Sequence, residues 1–585
     1  MTESSSGSTF FSIPELVALL SEYMEPRDIA RSMATCKNCA RLFEPYLWRH
    51  ITIQHYRATK DVVRRNRHHA VTLVIGSPFG VDFKGCLEIL AGSAQSTPSM
   101  PSESRTSTSA HRRCGPRDSP KNRPLDLRHI TVLAVIPTRS RSHTRDILYR
   151  IITQCRRLIT LEFPLQRSHK NRLQVLRPIL EAQSNLRALT ITKESTCPMQ
   201  DFALLLELCL RHPTINDLRC HFPLFRQDTN AELWNNFSTI SSHLKSLDMP
   251  AIFSGSSTHE FLLPILRSCG PNLECLSISS ISGYFADRLE QTLRDCCSNI
   301  RHIKCGLDQS YSSDSNKAVL ALIRGSVGRG LVSFRAGCNI KDPYQSANPI
   351  ADVLKALVDH HSTTLEDLQF DAVRSATSWE QAEILARCSN LKRFWIAPAG
   401  YGLISVEISH LLSSEWTCLG LRELCLTLDR RITGSEQEPI ANLAHRVYAQ
   451  IGRLRRLEKL SLGCYTFGFG GGNEGNSEMD LTLNSGFLAE LEGLSELKEF
   501  EMTSDYWTFM GQAEVEFMNR YWPKLRKITF GSPMRAMGMR AYDATSRSHW
   551  QWLVKRRQSL EYDVHRLSFD LISQVLPNID LIFHQ

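Results

Sequence analysis

The sequence predicts an α/β chain in which a three-helix N-terminal module precedes a long array of strand–helix units. Three observations carry this reading: an apolar phrase that returns about every thirty residues from Leu127 onward, a helical apolar pattern between successive phrases, and three bounded amphipathic runs within residues 12–51. At 585 residues the chain exceeds one ordinary domain, so it is either several domains or one elongated array. The recurring phrase selects the array.

Residues 1–11 are polar and Ser-rich and read as disordered, with no secretory signal pattern. Residues 12–55 read as the helical module. Ser12 can N-cap a helix with Pro14 in its first turn and Glu15 near the positive dipole end. Ile13, Leu16, Val17, Leu19, Leu20, Tyr23 and Met24 recur at helical spacing, and Pro26 stops the run. Asp28 opens a second run through Ile29, Ala30, Met33, Ala34 and Cys36. Leu42, Phe43, Leu47, Trp48 and Ile51 mark a third, with Pro45 a break or a new helix start. Three such short helices bury too little surface to be robust alone, so the unit is expected to lean on a partner or on the rest of the chain.

These residues resemble the F-box, a helical module that docks on the Skp adaptor of SCF ubiquitin ligases. The resemblance rests on Ile13-Pro14-x-Leu16, Leu19-Leu20, Pro26 with Asp28-Ile29, Cys36, and the closing Leu47-Trp48-Arg49. Cys39 departs from it, since an aromatic residue is frequent near that position. The resemblance implies adaptor binding through Ile13, Pro14, Leu16, Leu19, Leu20, Pro26, Ile29, Leu47 and Trp48. The alternative is an N-terminal helical cap with Ile13, Leu16 and Trp48 packed inward.

The net charge of +9 is uneven, because residues 49–145 hold 17 Lys/Arg against 6 Asp/Glu. The densest runs lie at residues 64–69 and 111–113. Nucleic-acid binding and solvated loop charge both fit, and the lack of interleaved aromatic residues favours the loop. Residues 70–75 read as a buried strand and residues 86–90 as a short helix. Residues 91–124, rich in Ser, Thr, Pro and Arg, cannot bury enough surface to order and read as a disordered insertion.

The phrase L-x-x-L-x-L runs from Leu127/Ile130/Val132 and Leu158/Leu161/Phe163 to Leu497/Phe500/Met502 and Leu525/Ile528/Phe530, with spacings of 26 to 40. Apolar runs such as residues 261–269 and 353–360 supply a helix between phrases, and polar breaks such as Ser389-Asn390 lead into the next strand. The pattern over residues 66–585 resembles the leucine-rich-repeat solenoid, which implies a horseshoe with an inner parallel sheet and outer helices. Asparagine after the strand is mostly missing, so no continuous asparagine ladder is expected. Residues between the phrase leucines, such as Arg393 and Trp395, are expected on the concave face.

The 18 cysteines are dispersed, with Cys220 and Cys305 on inward strand positions and Cys209, Cys269, Cys296 and Cys388 near helix ends, so they are expected to be buried structural thiols. Cys36-x-x-Cys39 has no second pair at zinc spacing, and the glycine-rich run of residues 468–475 lacks the Gly-Lys-Ser/Thr ending of a phosphate loop and reads as an inter-repeat loop. No nucleophile elbow or His-Glu-x-x-His is present, so neither a cofactor, a metal nor a catalytic role is expected. No apolar run of membrane-spanning length appears, and the expected setting is the cytoplasm or nucleus.

Aromatic residues gather near strand ends: Trp395 and Tyr401, Tyr465 and Phe467, Tyr506 and Trp507. Arg393, Trp395, Tyr401, Tyr465, Phe467 and Trp507 are candidate contacts to a protein target. Together the two halves resemble F-box/leucine-rich-repeat substrate receptors. That implies a non-catalytic subunit that binds a Skp-type adaptor, and through it a cullin-RING scaffold, and holds a protein target on the repeats. The alternative is an interaction scaffold, unrelated to ubiquitin, with a helical cap.

Overall fold

A computed structural model describes residues 14–24, 26–35, 37–47, 49–53, 72–75, 130–135, 152–164, 172–192, 197–221, 224–225, 234, 237, 240, 242–249, 261–278, 283–308, 314–339, 349–373, 378–398, 406–429, 439–465, 481–502, 512–530 and 561–564. The expected helix at residues 86–90, the insertion at 91–124 and the glycine-rich loop at 468–475 lie outside the described residues. The chain divides into two compact units, Met1–Phe253 and Ser254–Gln585, a boundary that falls within the expected array.

The first unit opens with helices α1 (Pro14–Tyr23), α2 (Pro26–Thr35) and α3 (Lys37–Leu47). Pro14 and Pro26 each take the first helical position, where the missing N–H would have had no partner anyway. Helix α2 therefore starts at Pro26, two residues before Asp28. Pro45 is neither a break nor a start: α3 runs through it and ends two residues later, at Leu47. Apolar packing holds that last turn. Val17, Ile29 and Phe43 form a buried core against which Leu20, Met24, Met33, Cys39, Leu42, Tyr46 and Leu47 pack.

Helix α3 leads directly into strand β1 (His50–Ile53), parallel to β2 (Thr72–Ile75) and β3 (Val132–Val135). The sheet thus begins within the residues expected to be helical. It continues through β4 (Thr160–Pro164), β5 (Ala188–Thr192), β7 (Asp217–His221) and β9 (Ser246–Met249), all parallel. Helices α4 (Arg172–Glu181) and α5 (Met199–Arg211) lie between strands, and β6 (Cys197–Pro198) pairs with β8 (Leu224–Phe225) as a separate ladder. Leu161, Leu189, Leu218 and Leu247 stand in register and are at most 1% exposed.

Strand pairing corrects the first phrase. Leu133 lies opposite Leu161 and is buried with Ile130, whereas Val132 is only half-buried, so the phrase Leu127/Ile130/Val132 is out of register. The motif overlaps itself at a shift of three, and only the neighbouring strand selects the register. The same register runs back through Leu73 to Ile51, giving two copies earlier than the first phrase.

The second unit alternates α6 (Leu262–Cys269), β10 (Cys275–Ile278), α7 (Ala286–Cys296), β11 (His302–Asp308), α8 (Asp314–Gly325), β12 (Ser333–Asn339), α9 (Pro349–His361) and β13 (Asp367–Val373). It continues with α10 (Ser378–Arg387), β14 (Arg393–Pro398), the short pair β15 (Val406–Glu407) and α11 (Ile408–Leu411), β16 (Glu423–Asp429), α12 (Ile440–Gly452) and β17 (Lys459–Tyr465). Strands β18 (Glu499–Met502), β19 (Lys527–Phe530) and β20 (Glu561–Val564) follow, with α13 (Gln512–Tyr521) before β19. Every strand pair in the unit is parallel. Strand β20 adds a copy beyond the last phrase, with Tyr562 opposite Ile528. Phe334, Leu368, Phe394, Leu424 and Leu460 are fully buried in one row, each worth about 1.5–3 kcal/mol of apolar burial.

Two recurring bonds fix the repeat. At each strand start one carbonyl accepts two N–H groups of the next strand: Glu366 O accepts Lys392 and Arg393 at 2.7 and 2.9 Å, and Arg422 O accepts Glu458 and Lys459 at 2.7 and 2.9 Å. At the helix ends, buried side chains reach back one repeat. Gln183 Nε2 donates to Ile152 O at 2.9 Å, His361 Nε2 to Ile323 O at 2.9 Å and Trp522 Nε1 to Leu491 O at 3.0 Å. In place of asparagines after the strand, these side chains satisfy helix-end carbonyls that would otherwise be orphaned.

Cysteines occupy the same helix-end place. Cys155, Cys297, Cys388 and Cys418 are fully buried, as is Cys209, while Cys220 and Cys305 are 2% and 3% exposed on strands. Cys269 is buried and Cys296 half-buried. Burial pushes the Cys209 and Cys388 thiols up to about 12, so both are protonated at neutral pH and poor nucleophiles.

Candidate protein-binding face

Alternation along each strand sends the phrase leucines into the core and the intervening side chains to the opposite face of the sheet. In the second unit the strand register places one residue from each of β11–β14 and β16–β19 in a row across that face: His302, Ser333, Asp367, Arg393, Glu423, Lys459, Glu499 and Lys527. From Asp367 onward the sign alternates at every strand. Arg393 binds Glu423 through two bonds of 2.8 Å and reaches Asp367 at 3.4 Å, and Lys459 lies 3.2 Å from Glu499. The hydrogen bonds to Glu423, with the nearby carboxylates, raise the Arg393 guanidinium further above its usual range.

Asp367 is shared. Its Oδ2 accepts from Ser333 Oγ at 3.1 Å and from Arg335 Nη2 at 2.7 Å, besides Arg393. Its Oδ1 is buried with no hydrogen-bond partner. Beside this row runs a second one of Lys304, Arg335, Gln369, Trp395, Cys425, Ser461, Glu501 and Thr529. There the Lys459 ammonium sits 4.5 Å from the centre of the Trp395 ring. Ser461 and Cys425 are 3% and 5% exposed, short side chains lying beneath longer neighbours. A shallow groove of about 480 Å³ follows the strand starts, bounded by His302, Arg335, Asp367, Arg393, Glu423 and Glu458.

Of the expected target contacts, the structure brings Arg393 and Trp395 to adjacent positions on this face. Tyr465 is the last residue of β17, and Tyr401, Phe467 and Trp507 lie outside the described residues. Missed in the sequence was the charge row, whose signal is the second residue after the first leucine of each phrase. It becomes legible only once the phrases are aligned. Half-exposed pairs of this kind each contribute on the order of 1 kcal/mol. Glu423→Gln is accordingly expected to lower the unfolding free energy by about 1 kcal/mol, with the difference shrinking by about half in molar salt. Urea titrations at two salt concentrations check this; a salt-independent loss would mean that packing, not charge, is what was removed.

At the N-terminal module, Pro14, Leu16, Leu19 and Leu20 fall on α1, Pro26 and Ile29 on α2 and Leu47 on α3, while Ile13 and Trp48 lie outside the described residues. Ile29 is 4% exposed, and Leu20 and Leu47 pack against the same core. Thr72 N donates to Arg49 O at 2.9 Å, the same bond that links later strands, and Arg49 also lies 3.7 Å from Glu22 of α1. A cavity of about 480 Å³ between these helices and the first strands is bounded by Met24, Ile29, Tyr46, Leu47, Thr72 and Val132. Among the described residues no three His, Cys, Asp or Glu side chains are placed to hold a metal, and no helix is long and apolar enough to cross a membrane.

No family model matches the chain, and no curated protein matches it. Among solved structures, the leucine-rich repeat-containing protein LegL7 of Legionella pneumophila is similar over 61% of this chain and 96% of its own length, at 15% identity and a TM-score of 0.27. The strand register itself decides the architecture. The chain is a leucine-rich-repeat-like array. In the second unit its strands present a row of alternating charges on one sheet face.

Proposed function

We propose that this chain is the substrate-recognition subunit of an SCF-type cullin-RING ubiquitin ligase. Helices α1–α3 dock a Skp-type adaptor, and the sheet face around Arg393 and Trp395 holds a protein target. Ubiquitin transfer belongs to other subunits, and this chain supplies proximity without chemistry of its own. The role belongs to the cytoplasm or nucleus. The observation that supports the reading is the N-terminal residue order, with Pro14, Leu16 and Leu20 on one short helix and Pro26 and Ile29 on the next. Ile29, being buried, supports docking by fixing how the helices pack.

Pro14→Ala combined with Leu16→Ala is expected to reduce co-purification of a Skp-type adaptor at least about tenfold, the effect of losing roughly 1.4 kcal/mol of binding. Circular dichroism of the full chain should stay unchanged. Adaptor retained at wild-type affinity would sink the docking assignment.

A second reading has its own observation. Helix α3 passes directly into β1, with Arg49 N donating to Tyr46 O at 3.3 Å, and β1 is bonded to β2 as later strands are to one another, so the three helices also serve as a cap on the first strand. As a cap alone they would belong to an interaction scaffold outside the ubiquitin system. Absence of adaptor binding by the wild-type chain selects that reading.

A further inference from the structure

The charge row on the sheet face neutralises itself, but the edge at the strand starts does not. In the second unit each helix turns into the next strand through a short stretch, from a buried helix-end residue to the residue after the first leucine. The five that lead into β14, β16, β17, β18 and β19 run 388–392, 418–422, 454–458, 494–498 and 522–526. Lys392 and Arg422 open the series, Arg455 and Arg456 stand together in one turn, and Lys498, Lys524 and Arg526 close it. Glu458 and Glu496 are the carboxylates among these residues.

Those carboxylates are occupied. Glu458 takes Lys498 and lies 3.7 Å from Arg422, Glu496 takes Lys524 at 2.6 Å, and Lys392 turns to Glu366 at 2.6 Å. The hydrogen bond from Lys498, with Arg422 and Lys524 nearby, holds the Glu458 carboxyl below its usual range, a sign of positive potential along the edge. Arg455, Arg456 and Arg526 are exposed and have no carboxylate partner among the described residues. Helix-end charge just outside the edge is matched, as Arg453 is by Glu415.

We infer that this edge is a docking surface for an acidic segment of a partner protein. Equivalent residues of neighbouring strands are about 4.8 Å apart and same-side residues of an extended peptide about 7 Å, so three alternate Asp or Glu side chains span about 14 Å, the width of about four strands, and can reach cations along it. A protein chain fits better than a nucleic acid. Trp522 is the aromatic residue in these stretches and is fully buried, so no ring is offered for base stacking. Glu458 and Glu496 would repel an unbroken phosphate chain but can pair with basic residues of a mixed peptide. The inference rests on the repeats being a protein-binding surface and not on adaptor docking.

The test uses the full chain and a fluorescent peptide of about twelve residues alternating Glu and Ser, read by anisotropy at about 50 and about 300 mM salt. Wild type should bind, and binding should weaken about tenfold or more at the higher salt. Arg455→Glu with Arg456→Glu and Arg526→Glu should weaken it at least about tenfold at low salt, with unchanged circular dichroism. Lys355→Glu, exposed on α9, should leave affinity within about twofold. No binding by wild type, full binding by the triple variant, or an equal loss in Lys355→Glu overturns the assignment. So does displacement of the peptide at lower concentration by a single-stranded oligonucleotide of equal charge. Adaptor co-purification from the same preparations is a separate readout: peptide binding lost with adaptor retained counts against the edge alone.

Discussion

His361→Ala is expected to lower the unfolding free energy by about 3–4 kcal/mol, because it strands two buried backbone groups and leaves a cavity. His361 has no exposed surface. Its Nε2–H donates to Ile323 O at 2.9 Å, and its Nδ1 accepts from Leu331 N at 3.2 Å. The second bond requires the neutral ring, with its proton on Nε2. Burial, the largest cause, lowers its pKa below the ordinary histidine value, and the adjacent His360 acts in the same direction.

The sign of the pH effect follows. In the unfolded chain His361 titrates near its ordinary value of about 6.5, and in the folded chain lower. Its contribution is complete above the unfolded value and is lost as pH falls through that value toward the folded one, since the unfolded state binds the proton first. Denaturation of wild type against His361→Gln between about pH 7.5 and 5 isolates the term. Glutamine keeps the donor, as Gln183 does in its own repeat, so His361→Gln should cost less than alanine and flatten the acid slope. An unchanged slope would mean that His361 takes up its proton equally in the folded and the unfolded chain.

Gly452→Ala is expected to cost about 3 kcal/mol, against the roughly 1 kcal/mol gain that replacing glycine in a helix usually brings. Gly452 ends α12, and a Cβ there would overlap the Glu490 carbonyl oxygen. That atom is backbone in the next repeat's turn, Ala489–Leu491, and cannot swing away. The contact is mutual, since a Cβ on Gly493 would come within 2.7 Å of Gly452 O. Gly420, with nothing within 4 Å, is the control, and its alanine variant should be near neutral. Urea midpoints compare the three. A Gly452→Ala protein as stable as wild type would show that adjacent repeats do not touch there through backbone.

Much of the repeat was legible in the phrase alone. Leu189, Leu276, Leu368 and Leu460 were assigned to the core by spacing, and all are at most 1% exposed. The failures have local causes. Leu127/Ile130/Val132 obeys the same pattern as Ile130/Leu133/Val135, and spacing cannot choose between them. Pro45 carries the same breaking signal in any helix, and only the packing of Phe43, Tyr46 and Leu47 carries α3 past it. On the candidate face, Arg393 and Trp395 were found because they stand out singly, while Asp367, Glu423 and Lys459 were passed over because each is an ordinary surface charge until a neighbour is placed beside it.

The sequence by itself determined the period, the strand and helix of each unit, and the leucines that fill the core, because these depend on spacing within about thirty residues. Tertiary structure alone decided which phrase pairs with which, where helix-end carbonyls find donors, and which charges meet across strands. Those are relations between residues about thirty positions apart in the chain and about 5 Å apart in space, and no local pattern encodes them. The N-terminal helices show both sides. Their motif was readable from order alone, while the place of the following strand β1 beside β2 was fixed only by pairing between distant residues, such as the Thr72 N bond to Arg49 O.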